Sequence, residues 1–525
     1  MFGGRRRGDF GRCQVSTPLA VVATMAVLTL AGALPVRMIA GWRPSTPFMA
    51  PIGGAVLAGA AGELTVLVDG TELGWFVPLA IGANAAATAS WLARREARRS
   101  RPVSQSSRWL WVAGGAGIVG VAGATAWSLR SVVREDIGLD ARSIWLAHAT
   151  WISKGHTAAL AALRDPGLAV SHSTYPQLGG GAVALGWVAT GVQNYRMGQL
   201  VLAILTGCAV ACVGSVILEV GIAASARRVS KRASLSRGVV TVVSASAGVA
   251  WILGAYGLAG AGATNGSVDL LWSAAAVAAA GFGLVLPLGG EHARAAAVVA
   301  VAAGLTKNAG IVTAVLLFAL IGTRWLLASG RSRGPLGVRI SRRRGIFAAF
   351  ACAVGAAGVV AWPIGATVRR ATSDPDFAGP HVGSLLRRAQ YTWDALTAHL
   401  HLAGLALVIA IAATVVLRRA RRSAGLGSDT WLWALGLAEL LAVVAVYVVG
   451  TRSIGAWLSE TSGTETLFAE SLGLAVLAWW CVTGVVASLG RSEVTPQTTD
   501  TDPGAAGAET ADVDVSGPAV LHPGT

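Results

Sequence analysis

Acidic and histidine side chains are concentrated in one segment of the sequence, residues 130–196. Elsewhere the charged residues lie mostly in short Arg-rich stretches between apolar runs. Carboxylates can act as general bases and cationic side chains can bind anionic groups, so this segment has side chains suited to group transfer. Acidic residues at a membrane boundary are candidates for function. The titratable residues of the segment are Glu135, Asp136, Asp140, His148, Lys154, His156, Asp165 and His172.

The spacing predicts a helix from Asp140 to Lys154. Four side chains fall on one helical face, at positions i, i+1, i+4 and i+8. They are Ile144, Trp145, His148 and Ile152. Trp145 and Trp151 are typical of a helix at a membrane interface. An anchoring helix with solvated acids explains the same pattern, so a structural role and a catalytic role both stay open.

The composition predicts an all-α integral membrane protein that positions this segment. Of the 525 residues, 54% are hydrophobic and 13% are charged, and the mean hydropathy is +0.60. Soluble domains carry about 25% charged residues. A span of 30 Å of hydrocarbon takes about 20 residues, and we expect a polytopic bundle of about 12–13 helices. The apolar runs are 17–40, 48–68, 73–93, 108–129, 197–224, 237–259, 268–288, 291–306, 308–327, 345–366, 397–417, 430–450 and 469–489.

The Arg-rich loops predict the orientation of the bundle. The loops 94–101, 227–236, 330–344 and 418–422 all face the cytoplasm if the short, Gly-rich stretch 177–193 does not cross the membrane. The segment 130–196 is then an external loop with juxtamembrane helices. Counting back three helices puts the Arg-rich N-terminus outside, in conflict with the charge rule.

We divide the chain into four parts. N-terminal membrane helices (1–107) precede a core with the external loop (108–366), and further membrane helices follow (367–490). The tail 491–525 is rich in Pro, Gly, Thr and acids, without apolar periodicity, which predicts disorder in the cytoplasm.

Four short motifs resemble the GT-C superfamily. These are polytopic glycosyltransferases, such as protein mannosyltransferases and aminoarabinose transferases, that take sugars from polyprenyl-phosphate carriers. Residues 140–149 (DARSIWLAHA) are similar to the family's first external loop, and 175–178 (YPQL) to the segment that closes it. Residues 265–269 (NGSVD) resemble its second acidic position, and 305–310 (LTKNAG) its L-T-K-N-E-G stretch. Ala309 replaces the usual Glu, so the role of that carboxylate is missing or moved.

The resemblance implies roles for individual residues. Asp140, with Asp136 as substitute, would be the base that activates the acceptor hydroxyl, and inversion at the sugar carbon would follow. Asp269 would orient the acceptor or the base. Lys307, with Arg142 and Lys154 as further candidates, would bind the donor phosphate. The implied substrate contacts are Trp145, His148, Tyr175 and Asn308.

The implied partners are a polyprenyl-phosphate-linked sugar donor, a glycan, lipid or protein acceptor, and the lipid bilayer. The site would lie on the extracytoplasmic side of the cytoplasmic membrane. No soluble cofactor is implied, and a divalent metal stays open. The spacings of 8 and 16 between His148, His156 and His172 fit no compact zinc pattern. The net charge of +16 comes from Arg beside apolar runs, which favours anionic lipid over nucleic acid.

Two other functions stay open from the sequence. A secondary transporter or flippase would use carboxylates inside the membrane, and Glu63, Glu219 and Glu439 lie within apolar runs. Positions at helix ends and hydrogen bonds facing the bundle are the favoured explanation of these three residues. A non-catalytic protein of envelope assembly is the second alternative, and the Ala309 departure keeps it open.

Overall fold

A computed structural model describes most of the chain, and its regular structure is helical throughout the described residues. These are 16–98, 108–228, 234–329, 341–371, 384–399, 409, 411–418, 429–451, 453–455, 458 and 466–492. Residues 493–525 of the predicted tail, and 400–408 and 410 of the predicted run 397–417, lie outside them.

The long helices agree with the apolar runs of the sequence. Before the external loop they are α1 (Thr17–Ala40), α2 (Thr46–Leu67), α3 (Glu72–Arg98) and α4 (Arg108–Leu129). The loop contains Arg130–Val133, a π-helical turn Ala141–Trp145, α5 (Leu146–Ile152), α6 (His156–Arg164), Pro166–Ser171 and α7 (Leu178–Thr190). After it come α8 (Tyr195–Arg228), α9 (Ser234–Ala259), α10 (Asp269–Ala280), α11 (Gly290–Gly304), α12 (Asn308–Ser329), α13 (Arg342–Val368), α14 (Leu385–His399), α15 (Asp429–Val449) and α16 (Leu467–Ser492).

The described residues include ten helices long and apolar enough to cross a membrane. The prediction of an all-α, multi-pass membrane protein is confirmed. Two helices at the centre are shorter. α10 and the π-helical turn Gly281–Val285 together have 17 residues, and α11 has 15, so neither reaches the roughly 20 residues that a full crossing takes.

The long helices alternate in direction, which gives the bundle two ends. The loop end holds residues 68–71, 130–177 and 260–268, joined by backbone bonds such as Gly138 N to Asn265 O (2.9 Å) and His156 N to Gly70 O (3.1 Å). The basic end holds residues 41–45 and 286–289. It also carries the Arg-rich helix termini, which include Arg98, Arg228 and Arg342.

Helix α7 starts and finishes at the loop end. Its first residue, Leu178, donates to the Leu305 carbonyl (2.8 Å), and Arg196, just after it, donates to the Glu135 carbonyl (2.6 Å). Thirteen residues rise about 20 Å, less than the 30 Å of hydrocarbon. The stretch 177–193 therefore does not cross, as the orientation of the basic loops requires.

Helices α1 and α2 pack through glycines. A Cβ at Gly54 would lie 1.9 Å from the Leu28 carbonyl, and one at Gly32 would lie 2.0 Å from the Ala50 carbonyl. Small residues allow such backbone contact inside a membrane bundle. The resulting hairpin is held close, with Arg43 at the basic end and Glu63 near the loop end.

The N-terminus of α1 lies at the loop end. Thr17 accepts a hydrogen bond from the Asn194 side chain (3.3 Å), and Asn194 comes just before α8. The first three helices therefore run alternately between the two ends, and residue 16 lies at the same end as the segment 130–177. The Arg-rich residues 5–7 lie outside the described part of the chain.

Candidate functional site

An ion pair at the loop end joins two of the residues singled out by the sequence. The Lys307 Nζ lies 2.8 Å from Asp269 Oδ1. Ser267 Oγ donates to Asp269 Oδ2 (2.6 Å), and the Lys307 ammonium lies 5.6 Å from the centre of the Trp272 ring. The pair is mostly withdrawn from water, with side-chain exposures of 8% for Lys307 and 15% for Asp269.

The ion pair lies at the ends of the two short central helices, α10 and α11. Asp269 begins α10, whose other residues, Leu270–Ala280, are all buried, and Lys307 lies in the turn between α11 and α12. Because α10 and α11 are shorter than the helices around them, their termini at the loop end lie within the bundle. The adjoining Val268 and Thr306 are completely buried.

The stretch with the two predicted base residues docks beside the ion pair. Gly138 donates to the Asn265 carbonyl (2.9 Å), and a Cβ at Gly266 would lie 2.9 Å from the Ala141 Cβ. Residues 138–141 thus contact the turn that leads directly into Asp269. Asp136 and Asp140 are both exposed, as access to an acceptor requires.

Two residues of α8 fasten this stretch to the bundle. Arg196 donates to the carbonyls of Val132 (2.9 Å), Val133 and Glu135 (2.6 Å). Gln199 accepts from Arg196 (2.5 Å) and donates to the Thr264 carbonyl (2.9 Å). The sequence analysis missed both residues, since their position after the weak apolar stretch gave no sign of contacts some 60 residues away.

An aromatic cluster covers the other side of the recess. The predicted helix is present as the π-helical turn Ala141–Trp145 and α5, with its apolar face buried as expected. The Trp145 and Tyr175 ring centres are 5.7 Å apart, and Tyr175 stacks on His172 at 4.7 Å. Trp145 packs against bundle residues, and its indole N–H has no hydrogen-bond partner within the described ranges.

His148 is buried between two acceptors. Its Nδ1 lies 3.1 Å from Gln177 Oε1 and its Nε2 lies 2.9 Å from the Ser171 carbonyl. A neutral ring has one N–H, so it can donate to only one of them. Burial lowers the pKa of His148 to about 4, although both acceptors act to raise it. His148 therefore positions the loop as a neutral ring and has no open face for substrate.

The side chains of three other predicted residues make no described contact with the ion pair, although Asn308 directly follows Lys307 in the chain. Arg142 is exposed on the π-helical turn. Lys154 is exposed at the far end of α5, next to the Gly70–His156 contact. Asn308, half-buried, begins α12 directly after Lys307. Lys307 thus has the best geometry for an anionic group among the predicted phosphate ligands.

A second polar group beside the loop includes a residue that sequence reasoning missed. Glu72, at the start of α3, is completely buried, and neither of its carboxylate oxygens has a hydrogen-bond partner among the described residues. Glu63 accepts from the Gln177 backbone N–H, and its Oε1 is unpartnered in the same part of the chain. Glu72 follows the Asp69-Gly70-Thr71 turn and begins α3, where an acidic residue is common. The sequence therefore offered no reason to expect that it is buried.

The other two carboxylates within apolar runs have partners. Glu219 accepts from Arg43 (3.1 Å) and from the Ser45 hydroxyl (2.8 Å), and Glu439 accepts from the Thr313 hydroxyl (2.7 Å). These contacts agree with a structural role for the two residues, which stays a prediction. Within the described ranges, no group of three His, Cys, Asp or Glu side chains is suited to hold a metal ion.

Comparisons with known proteins find no match to a family model, to a curated protein or to a solved structure. The resemblance to the GT-C superfamily therefore depends on the four sequence motifs.

Proposed function

We propose that this chain is a membrane glycosyltransferase that moves a sugar from a polyprenyl-phosphate donor to an envelope glycan, lipid or protein. One observation carries the proposal. The 138–141 stretch, which follows an acidic pair, is bonded to the turn that leads into the recessed Asp269–Lys307 ion pair. A base and a phosphate ligand at the end of a membrane bundle are the groups that transfer from a lipid phosphate requires.

The reaction assigns one role to each group. Asp140 takes the proton of the acceptor hydroxyl as its oxygen bonds to the anomeric carbon. The bond from that carbon to the phosphate oxygen breaks, and the polyprenyl phosphate leaves with the electron pair. Lys307 stabilises the developing phosphate charge. Asp269 fixes Lys307 in place, a positioning role that differs from the acceptor contact implied by the family resemblance.

The orientation follows from charge. Arg98, Arg228 and Arg342, at the termini of α3, α8 and α13, lie at the basic end, and cytoplasmic loops of membrane proteins are enriched in Lys and Arg. With the basic end in the cytoplasm, the ion pair and both acidic candidates face the extracytoplasmic side. A lipid-borne phosphate in the outer leaflet lies at the same level.

The test is sugar transfer by the full chain with Asp140→Asn. Purified protein in vesicles receives a radiolabelled polyprenyl-phosphate sugar, and the envelope glycans of a strain lacking the protein are analysed by mass spectrometry. Loss of the base should lower the rate by about 10²–10⁴-fold. Asp165→Asn is the matched control, because Asp165 is an exposed acid of the same loop that caps only its own turn, accepting from Gly167 N (2.8 Å).

The control variant should transfer sugar at the wild-type rate. Full activity in both Asp140→Asn and Asp136→Asn would remove these residues from the base role. An unchanged glycan profile in the deletion strain, together with no transfer by the purified wild type, would reject the proposed function.

A secondary transporter is the second candidate, and the buried Glu63 and Glu72 favour it. Carboxylates without cationic partners inside a membrane bundle are typical of ion-coupled transport. Transport predicts uptake of substrate that is insensitive to Asp140→Asn and is abolished by Glu72→Gln. Transferase activity predicts the opposite sensitivity.

A further inference from the structure

The junction of α2, α3 and α7 contains buried carboxyl groups without a compensating cation in any described contact. A Cβ placed at Gly62 would lie 3.3 Å from Glu72 Oε2 and 3.5 Å from the Gln177 Cβ. Glu63, the next residue along α2, accepts from the Gln177 backbone N–H. The two carboxyl groups therefore flank the same residue of the loop.

The surroundings leave little to neutralise a negative charge. His148 approaches through Gln177 and is neutral at physiological pH. The His156 Nδ1 is engaged by the Thr65 carbonyl (2.9 Å). Asp69 and Lys154 are exposed beside the Gly70–His156 contact. An ionised, unpaired carboxylate in such a place would carry a large desolvation cost.

We propose that Glu63 and Glu72 form a proton-binding site, in which Glu72 is held as the neutral carboxylic acid. This goes beyond the proposed transfer reaction, because neither residue contacts the Asp269–Lys307 pair in any described interaction. A proton is the ligand that the geometry favours. A metal ion needs several converging oxygens, and no suitable group of three acidic, His or Cys side chains is present in the described ranges.

The site lies where the external loop rests on the α2–α3 hairpin. The contacts between them are Glu63 with the Gln177 N–H, His156 N with the Gly70 carbonyl (3.1 Å), and the His156 ring with the Thr65 carbonyl (2.9 Å). Loss of the proton would place an uncompensated negative charge in this interface. The proton therefore couples the seating of residues 148–177 to external pH.

The test uses the full chain in lipid nanodiscs, with Glu72→Gln as the isosteric neutral variant. Infrared difference spectra between neutral and alkaline pH should contain the carbonyl stretch of a protonated carboxylic acid, and the variant should lack it. Thermal unfolding followed by Trp fluorescence should show wild-type stability falling as pH rises above about 4.3, the pKa of an unfolded Glu, for as long as the folded Glu72 keeps its proton. The folding equilibrium constant should drop by up to about tenfold per pH unit for one proton lost.

Glu72→Gln should remove that loss, so it should match the wild type at acidic pH, below the pKa of an unfolded Glu, and be more stable than the wild type at neutral pH. Glu470→Gln is the control, since Glu470 also lies near the start of a helix, α16, and is only half-buried. Glu470→Gln should keep both the infrared band and the loss of stability with rising pH.

Two results would overturn the proposal. The first is a rise in wild-type unfolding temperature on adding Na⁺, K⁺ or Ca²⁺ at constant ionic strength that Glu72→Gln lacks, which would identify a cation as the ligand. The second is an infrared band that persists in Glu72→Gln. Should Glu72→Gln fail to fold, Glu72→Asp decides by the same spectra, since it keeps the ionisable group. If the Glu72→Asp spectrum contained no carboxylic acid band, the proposal would also be rejected.

Discussion

The two ends of the bundle treat buried charge differently. At the basic end, Arg43 contacts Glu219 (3.1 Å), Glu291 (3.8 Å) and the Ala40 carbonyl (2.8 Å), and its guanidinium lies 5.5 Å from the Phe282 ring centre. At the loop end, the Asp269–Lys307 pair lies in a recess, while Glu72 and the Trp145 N–H have no described partner.

We interpret this difference as one between a structural cluster and the proposed functional site. The charges at the basic end compensate each other and join the α1–α2 turn to α8 and α11, so they hold the bundle together. At the loop end, some buried polar groups have no hydrogen-bond partner among the described residues. Buried polar groups are normally hydrogen-bonded, so a concentration of unsatisfied ones at a membrane boundary indicates a site for a proton, water or ligand.

The largest effect should come from Arg43→Met at the basic end. This change leaves the Glu219 carboxyl group buried without its cation, and breaking a buried pair costs about 3–5 kcal/mol. We expect little folded protein by size-exclusion chromatography and a large fall in unfolding temperature.

The double variant Arg43→Met/Glu219→Gln tests the structural role of this cluster. It removes both charges, so folding should recover substantially, and sugar transfer should recover with it. A double variant that folds but does not transfer sugar would contradict the assignment of this end as purely structural.

Lys307→Met should produce the second largest effect, on rate rather than on folding alone. Removing a preorganised cation at a developing oxyanion costs about 10²–10³ in rate. The double variant Asp269→Asn/Lys307→Met is neutral and should fold, because no charge is left unpaired. Transfer should still be lost, in contrast to the Arg43 double variant. Recovery of transfer would reduce the Asp269–Lys307 pair to a structural salt bridge.

The sequence predicted the parts of the molecule that depend on local pattern. Hydropathy located the long helices, and the spacing of Ile144, Trp145, His148 and Ile152 predicted the buried face of the helical stretch 141–152. The Arg-rich loops implied that α7 does not cross. Residues 367–396 appeared only as an external segment, whereas the structure has α14 beginning at Leu385.

Contacts between distant residues were not accessible from the pattern. Arg43 and Glu219 are 176 residues apart, and nothing in either apolar run identifies the other as its partner. Glu72 meets the loop at Gln177 only because α7 folds back over α2. Periodicity records which face of a helix is buried, but not which helix covers it, so the motifs predicted the ion pair's residues without predicting their contact.

The smallest effect concerns His148, whose burial and hydrogen bonds oppose each other. Burial lowers its pKa to about 4 from the usual 6.5, so between these values the unfolded chain takes up a proton that the folded chain excludes. The contribution of His148 to stability should therefore fall as pH drops from about 6.5 towards 4, by up to about 1.4 kcal/mol per pH unit, and should not change at higher pH. Thermal unfolding of His148→Gln should lack this acid loss, whereas His156→Gln in the same segment should retain it. If the two acceptors around the ring outweighed burial, His148 would be an imidazolium at neutral pH, and its contribution would be lost as pH rises instead. The sign of the change in stability with pH thus decides whether a neutral His148 ring holds the loop. A neutral ring is what the comparison of the two ends expects, because the cluster around Arg43 is held by charged groups instead.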